Sequence, residues 1–296
     1  MKQQRRVGVV GVPGGWSSER LADALERRTG FRLVLDIAEV SLVLDRGEVL
    51  HRGENLLDLD GLILKKVGTE YSPEHLDRLY ILRYARERGL PVFSDPARVA
   101  QVLDRMACTI ALQLSGAPMP PTVITEDVGA AANAVRRFRK AVFKPLFSTK
   151  ARGMMVIEDG ADARARVEEF KQAGNTVMYV QKMQELPGQD LGVTFLGGEY
   201  LGTYARVAGE GAWNTTHRAG GRYESYEPSA EIVDIARRAQ APFGLDFTCV
   251  DVAETDSGPV VWEVSAFGGF HGLLDGCGID VAERYADYVL EKIRHG

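Results

Sequence analysis

Over the first ninety residues, short apolar runs alternate with longer stretches in which apolar positions recur every three or four residues. Residues 7–12 form an apolar run of strand length, 17–28 carry the helical period with Ser17 or Ser18 as N-cap, and 31–37 form a second strand. This is a βαβ opening. Residues 42–44 and 49–51 flank Asp45-Arg46-Gly47, a hairpin turn signal, and 62–64 is a further short strand ending at Lys65-Lys66. Pro73 introduces a helix over 74–88 that stops at Gly89, and 91–93 supplies one more strand. Strands and helices alternating in this way pack as a mostly parallel sheet with helices on its faces.

The pattern changes at Ser94-Asp95-Pro96, where a domain boundary is placed. Residues 97–116 read as one helix, which cannot continue through Pro118, Pro120 and Pro121. Beyond them the pattern predicts strand 123–125, helix 129–139, strand 141–144, a basic loop over 147–152, strand 154–157, helix 161–173 and strand 176–182, together a small α+β lobe. Strands 191–196 and 200–207 then flank Gly197-Gly198, a two-residue hairpin turn. A loop bearing Gly209, Gly211, Gly220 and Gly221 follows. Helix 229–243, strand 247–253, a turn over 255–259, strand 260–265, a Gly-rich segment 267–278 and an amphipathic helix 279–294 complete the chain.

Composition narrows the class of protein. With 296 residues, 45% apolar and 26% charged, the chain is long enough for two compact domains, and neither disorder nor collagen-like structure fits. Thirty-six basic against forty-one acidic residues give a net charge of −5 without any basic block, which argues against direct nucleic-acid binding. The apolar run after Lys2, Arg5 and Arg6 is too short for a secretory signal, and no run approaches the roughly 18 residues of a membrane span. Cys108, Cys249 and Cys277 are odd in number, widely spaced and lack a CxxC pair, so a reducing cytoplasm is expected rather than a disulfide framework or zinc knuckle.

The strongest chemical signal is the pair Asp251 and Glu263. An uninterrupted hairpin centred on Ser257 sets them directly opposite each other, with Cβ atoms about 4.5–5.5 Å apart, where like charges destabilise a ladder. Ser265 lies two residues further on the same face. Oxygen donors on adjacent strands suit a hard cation such as Mg²⁺; the competing reading is a bulge that leaves two solvated acids on opposite faces. The half-buried character of the strands, marked by Phe247, Val260, Val261 and Trp262, favours the metal, with Trp262 itself turned away into the core. Lys144 ends a strand before Pro145 and the loop Ser148-Thr149-Lys150-Ala151-Arg152-Gly153, whose hydroxyls and cations suit a lid over a polyphosphate or, less specifically, a solvated turn.

Other positions carry weaker signals. Gly11-Val12-Pro13-Gly14-Gly15 fails the GxGxxG spacing of a dinucleotide site, leaving an NAD-dependent oxidoreductase as a remote alternative; the turn reads as tight, with Ser17, Ser18 and the helix start facing a substrate carboxylate. Lys65 and Lys66 are candidates for an acidic substrate or, as strand-end lysines, simply solvated. His217 and Arg218, among glycines, suit a closing substrate loop, and His271 is either a neighbour of the reacting group or polar filler. Trp16 and Trp213 sit in glycine-bearing loops as exposed aromatics, and Cys108 and Cys249 read as core.

Taken in order, Leu103-Asp104-Arg105, Val142-Phe143-Lys144-Pro145, Val180-Gln181-Lys182-Met183, Gln189-Asp190, Arg206, Gly220-Gly221, Cys249-Val250-Asp251 and Trp262-Glu263-Val264-Ser265 resemble the landmarks of ATP-grasp enzymes. With 60–69 included, the spacing most resembles the branch that adds glutamate to a ribosomal protein, to cofactors or to a biosynthetic carrier, and within it the ATP-grasp proteins named for the GAK system. The resemblance implies an α/β fold, with a Rossmann-like pre-ATP-grasp domain over 1–94 and a two-lobed α+β ATP-grasp unit over 95–296 divided near 185.

It further implies an ATP- and Mg²⁺-dependent carboxylate–amine ligase that works through an acyl-phosphate. Lys144 is implied to hold the α- and β-phosphates, with Arg105 and Lys150 as further phosphate ligands. Gln181, Lys182 and Met183 are implied to line the adenine slot, the last two through backbone hydrogen bonds, and Asp190 to lie at the ribose and phosphate side. Arg206 is implied at the γ-phosphate and the acyl-phosphate, and Asp251, Glu263 and Ser265 at the metal; Lys66, His217 and Arg218, read from their own context, are the candidates for the substrate. The partners implied are a small-molecule or peptide carboxylate and an amine, in a cytoplasmic protein that resembles homodimers, with no membrane. Two departures stand out: Ser265 occupies a place where the family has Asn, and Ala266-Phe267-Gly268-Gly269 replaces a Ser-Pro-Gly-type turn. They keep open an ATP-binding regulator without ligase turnover, and an ATP-grasp small-molecule kinase is the other alternative.

Overall fold

The computed structural model describes residues 5–69, 72–148, 152–209 and 221–295. The chain opens with β1 (Val7–Val10), α1 (Trp16–Thr29) and β2 (Val34–Leu35), followed by a small antiparallel sheet of β3 (Val40–Val43), β4 (Glu48–His51) and β5 (Glu54–Asn55). β6 (Gly61–Leu64), α2 (Glu74–Glu87) and β7 (Val92–Phe93) complete a four-stranded parallel sheet in the order β2-β1-β6-β7. Every residue of β1 and β6 is buried, which is why both read as unbroken apolar runs.

The start of α1 departs from expectation. Neither serine caps the helix: Ser18 is fully buried and its Oγ accepts the Val12 N–H at 3.2 Å, while the Gly14 N–H donates to the Glu19 carboxylate at 2.6 Å. The Ser18 hydroxyl and the Gly14 N–H are thus engaged by the chain itself.

The stretch expected as one helix is two, α3 (Pro96–Leu103) and α4 (Arg105–Leu114). Asp104 between them has an extended backbone, and its carboxylate accepts the Ala107 N–H at 2.9 Å, so the residue that interrupts one helix caps the next. Arg105 is thereby brought to the first turn of α4. A small lobe follows, built from β8 (Thr122–Thr125), α5 (Val128–Phe138), β9 (Lys140–Lys144), β10 (Met155–Glu158), α6 (Ala163–Gln172) and β11 (Met178–Lys182). Its antiparallel sheet, in the order β10-β9-β11-β8, buries Phe143, Met178 and Val180 with residues of α5 and α6. The alternate residues Lys144, Tyr179 and Gln181 belong to the opposite face.

The large lobe holds β12 (Gln189–Leu196), β13 (Glu199–Val207), β14 (Arg222–Ser225), α7 (Ala230–Gln240), β15 (Phe247–Thr255), β16 (Gly258–Ser265), α8 (Phe270–Cys277) and α9 (Val281–His295), its sheet running β14-β13-β12-β15-β16. Helix α8 lies inside the segment expected as a glycine-rich loop. It begins after Gly269 at φ 87° and ends at Gly278 at φ 69°, and Gly272 lets it approach the sheet so closely that a Cβ there would lie 2.3 Å from the Tyr204 ring.

Buried residues from either side of the expected boundary at 94 share cores. Val9, Leu21 and Ile63 share a core with Phe247, Tyr285 and Val289, and Val99, Cys108 and Leu112 of α3 and α4 share another with Leu35, Leu82, Val250 and Val264. Among the described residues, the small lobe has a core of its own. The first sheet, α3, α4 and the large lobe are interlocked across residue 94.

Candidate active site

The pairing of β15 and β16 places the two acids, though by an unexpected route. Thr255 pairs with Gly258 across a turn of Asp256 and Ser257, and continuing at that register would set Trp262 opposite Asp251. Instead Val252 pairs with Val261 and Asp251 with Glu263, so Trp262 is an extra residue in a β-bulge. The bulge assembles the acid pair rather than separating it. It also re-aims the indole: Trp262 faces the cleft instead of the core, with the Lys144 ammonium 5.2 Å from its ring centroid.

Neighbouring strands extend this polar face. Gly192 of β12 pairs with Asp251, and Asp190, two residues earlier, pairs with Arg206 of β13. The Arg206 guanidinium grips the buried Asp190 carboxylate through Nε, at 3.1 Å, and Nη2, and its Nη2 lies 3.1 Å from Asp251 Oδ1. The Asp190 carboxylate, expected at the ribose and phosphate side of a nucleotide, is thus engaged by Arg206. Burial raises the Asp251 carboxyl to about 6; Arg206 opposes the shift, while Asp190 and Glu263 reinforce it. For Arg206 itself burial favours the neutral form, but the Asp251 and Asp190 carboxylates override this and hold it charged.

Across the cleft, Lys144 Nζ donates to Gln181 Oε1 at 2.6 Å, and its ammonium lies 5.9 Å from the Tyr179 ring centroid in addition to the Trp262 contact. Burial foremost, then the Arg105 charge, brings the Lys144 amine down to about 8. The Gln181 amide continues the chain to Thr122 Oγ1 at 3.0 Å, so Gln181 acts through its buried side chain. Arg105 donates to the Pro145 and Ser148 carbonyls at 3.1 and 3.0 Å, and its Nη1 is 3.8 Å from Glu263. One guanidinium therefore ties the start of the basic loop to the acid pair.

Two cavities flank this centre. One, of about 710 Å³, lies where Lys182 and Met183 meet Lys140 and the β15–β16 turn at Thr255 and Ser257. The N–H groups of Lys182 and Met183 donate to the Pro121 and Lys140 carbonyls at 2.8 and 3.0 Å. These two N–H groups are engaged within the lobe. The other cavity, of about 320 Å³, brings Lys66 and Thr69 from the first sheet against Arg105, Trp262, Glu263 and Ser265.

The oxygen donors of Asp251, Glu263 and Ser265 on adjacent strands fit a hard cation, with Arg206 and Arg105 answering part of the acid charge. Among the described residues no group of three or more acidic, His or Cys side chains is poised for a metal. Beyond Asp251 and Glu263, ligands would come from Ser265, phosphate oxygens and water, the ordinary manner of holding Mg²⁺.

Several expected participants fall elsewhere. Lys150, His217, Arg218 and Trp213 lie outside the described residues. His271 stacks on Trp16, ring centroids 3.7 Å apart, and its Nδ1 is 3.8 Å from Asp275. Lys65, far from solvated, is buried. Tyr179 was absent from the expected set although it precedes Gln181 by the two residues that put strand neighbours on one face; for Trp262 no sequence signal marks the bulge.

Residues 101–289 match the RimK-like ATP-grasp domain family. The tetrahydromethanopterin:alpha-L-glutamate ligase of Methanosarcina acetivorans is 28% identical, the match covering 96% of this chain and 98% of that protein. Among solved structures, the ATP-grasp ligase PsnB complexed with minimal precursor superposes with a TM-score of 0.77 at 21% identity, over 98% of this chain and all of the other. PsnB complexed with minimal precursor, Mg and ADP gives 0.74 at 20% identity, over 97% of both. Among the described residues no helix is long and apolar enough to cross a membrane.

Proposed function

Since this chain belongs to the RimK-like ATP-grasp family, we propose that it is an ATP- and Mg²⁺-dependent ligase joining a carboxylate to an amine, with glutamate as one partner. The observation that carries this reading is the facing of two charged sets across one cleft: Lys144 and Arg105 on one side, the Arg206–Asp190–Asp251–Glu263 face on the other. The glutamate ligase relative, alike over nearly the full chain, supports the substrate class.

In this reading ATP transfers its γ-phosphoryl to a carboxylate, ADP leaves, and the amine displaces phosphate from the acyl-phosphate to form an amide. The chain's part is positioning and charge compensation. Asp251, Glu263 and Ser265 are the oxygen donors for Mg²⁺, which when bound neutralises phosphate charge. Lys144, pre-oriented by Gln181, meets the phosphates nearest the nucleoside, with Arg105 and Lys150 beside them. Lys182 and Met183 border the base pocket. Arg206, held by Asp190, meets the transferred group, and Lys66, with His217 and Arg218, takes the acidic substrate. Residues 1–94 are read as the pre-ATP-grasp domain and 95–296 as the ATP-grasp unit of a cytoplasmic protein. The second reading, an ATP-binding regulator, is favoured by one observation, the short hydroxyl of Ser265 at the third donor position.

Calorimetric titration of ATP with and without Mg²⁺, into wild type and an Asp251→Asn, Glu263→Gln double variant, tests the site. Tighter binding with Mg²⁺ in the wild type and loss of that gain in the variant are expected; wild type without nucleotide affinity refutes the reading. ADP release on adding glutamate and candidate acids then separates ligase from regulator.

A further inference from the structure

Lys65 follows the last residue of β6 and directly precedes Lys66, and its backbone N–H and that of Lys66 both donate to the Val10 carbonyl, at 2.8 and 3.1 Å. Its side chain is 2% exposed, an unusual place for lysine. Nζ donates to the Phe267 carbonyl at 2.5 Å and lies 4.0 Å from the Phe270 ring centroid. Both partners belong to the segment that leaves β16 after Ser265. The ionisable groups acting on Lys65 are Lys66, beside it in sequence, and the Cys249 thiol of β15, and burial foremost brings the amine down to about 7. A buried ammonium without a carboxylate is costly, and an apolar side chain fills such a space at lower cost.

The two contacts straddle Gly268 and Gly269, which have no side chains to stiffen the chain. Gly268 lies against Ser265, a Cβ there falling 3.3 Å from the Ser265 hydroxyl, and Gly269, at φ 87°, runs so close over Thr194 that a Cβ would stand 2.8 Å from its methyl. Ser265 itself is held in the ladder opposite Cys249, so the course of this segment bears on the Ser265 hydroxyl, against which Gly268 lies. Lys65 supplies from the first sheet the restraint that the glycines lack: a hydrogen bond on one side and a cation–π contact on the other.

We propose that Lys65 is a positioning residue for the metal-binding end of β16, fixing the segment after Ser265 from the first sheet. The proposal rests on the ligase reading above, which gives Ser265 its place at the metal.

The test is calorimetric titration of ADP, once with excess Mg²⁺ and once with EDTA, into wild type, Lys65→Met and Phe270→Leu, with thermal melts to verify folding. In Lys65→Met the affinity gained from Mg²⁺ is expected to fall at least fivefold, while binding in EDTA stays within twofold of wild type. Phe270→Leu, which removes the ring and with it the edge contact to Phe247 and is therefore read against its own melt, is expected to lose the same gain two- to threefold while binding in EDTA stays within twofold, and it decides the matter if Lys65→Met does not fold. An equal loss with and without Mg²⁺ marks a merely structural lysine and overturns the proposal, as does an unchanged Mg²⁺ gain in both variants. A wild type that binds ADP without any Mg²⁺ gain overturns the metal-site reading, and this proposal with it.

Discussion

At Lys144 an ammonium group sits between a glutamine oxygen and two aromatic rings, and burial leaves it with a pKa of about 8. Only the charged form attracts phosphate. ATP affinity is therefore expected to fall as pH rises through 8, the bound phosphates delaying the fall by favouring the ammonium, whereas Lys144→Met binds at least tenfold more weakly with a flatter profile. Calorimetry between pH 6.5 and 9.5 checks both. Asp251 titrates in the other sense. Its carboxyl is raised to about 6 against roughly 3.9 in an unfolded chain, so the destabilisation is absent below the lower value, grows as pH rises between the two, and is complete above 6. Metal-free Asp251→Asn is expected to melt no lower than wild type at pH 7.5, with its advantage shrinking at pH 4.5. A variant that melts far below wild type at pH 7.5 would show that Asp251 stabilises the fold through Arg206.

Two elements owe their form to single residues. The bulge at Trp262 lengthens β16 by one residue, which brings Glu263 opposite Asp251 and turns an indole under Lys144. Trp262→Ala is expected to leave the acid pairing intact, since the bulge is a backbone feature, and to weaken ATP binding several-fold by removing the contact to Lys144; calorimetry with a thermal melt as control separates the two effects. Helix α8 rests on the Tyr204 ring through Gly272. Gly272→Ala inserts a methyl where nothing gives way, and overpacking of this kind costs about 1–3 kcal/mol. A melting temperature lowered by a few degrees is expected.

At the scale of the whole molecule, α9 closes the structure back onto its beginning. Tyr285, Ala286 and Val289 are buried in the core that contains Leu21 and Leu25 of α1, and Arg28 pairs with both Glu283 and Asp287 at 2.6–2.8 Å. A fragment of residues 1–94 leaves that core without its second half. It is expected to be unfolded by circular dichroism and amide dispersion, whereas a folded fragment would mean that the first sheet is an independent domain.

Most elements of regular structure were legible in the sequence because they depend on neighbours within a turn or a strand. The apolar runs of β1 and β6, the helical period of α2, the hairpin at Gly197-Gly198 and the order of charged landmarks are local or linear properties. The carboxylate pair was legible because a hairpin relates its strands by counting. What counting could not supply was the route, since a two-residue turn and a bulge restore the same pairing as a longer turn without one. The break at Asp104 was missed because an apolar helical period ran through it and only the cap shows where the chain turns. Helix α8 was hidden by glycines that weaken helical propensity yet are required by close approach to Tyr204. Which lysine is buried and which lines a cavity, and what Asp190 and Gln181 hold, were decided by tertiary structure alone. Hydrogen bonds and desolvation arise between residues far apart in the chain, and a one-dimensional pattern carries no record of them.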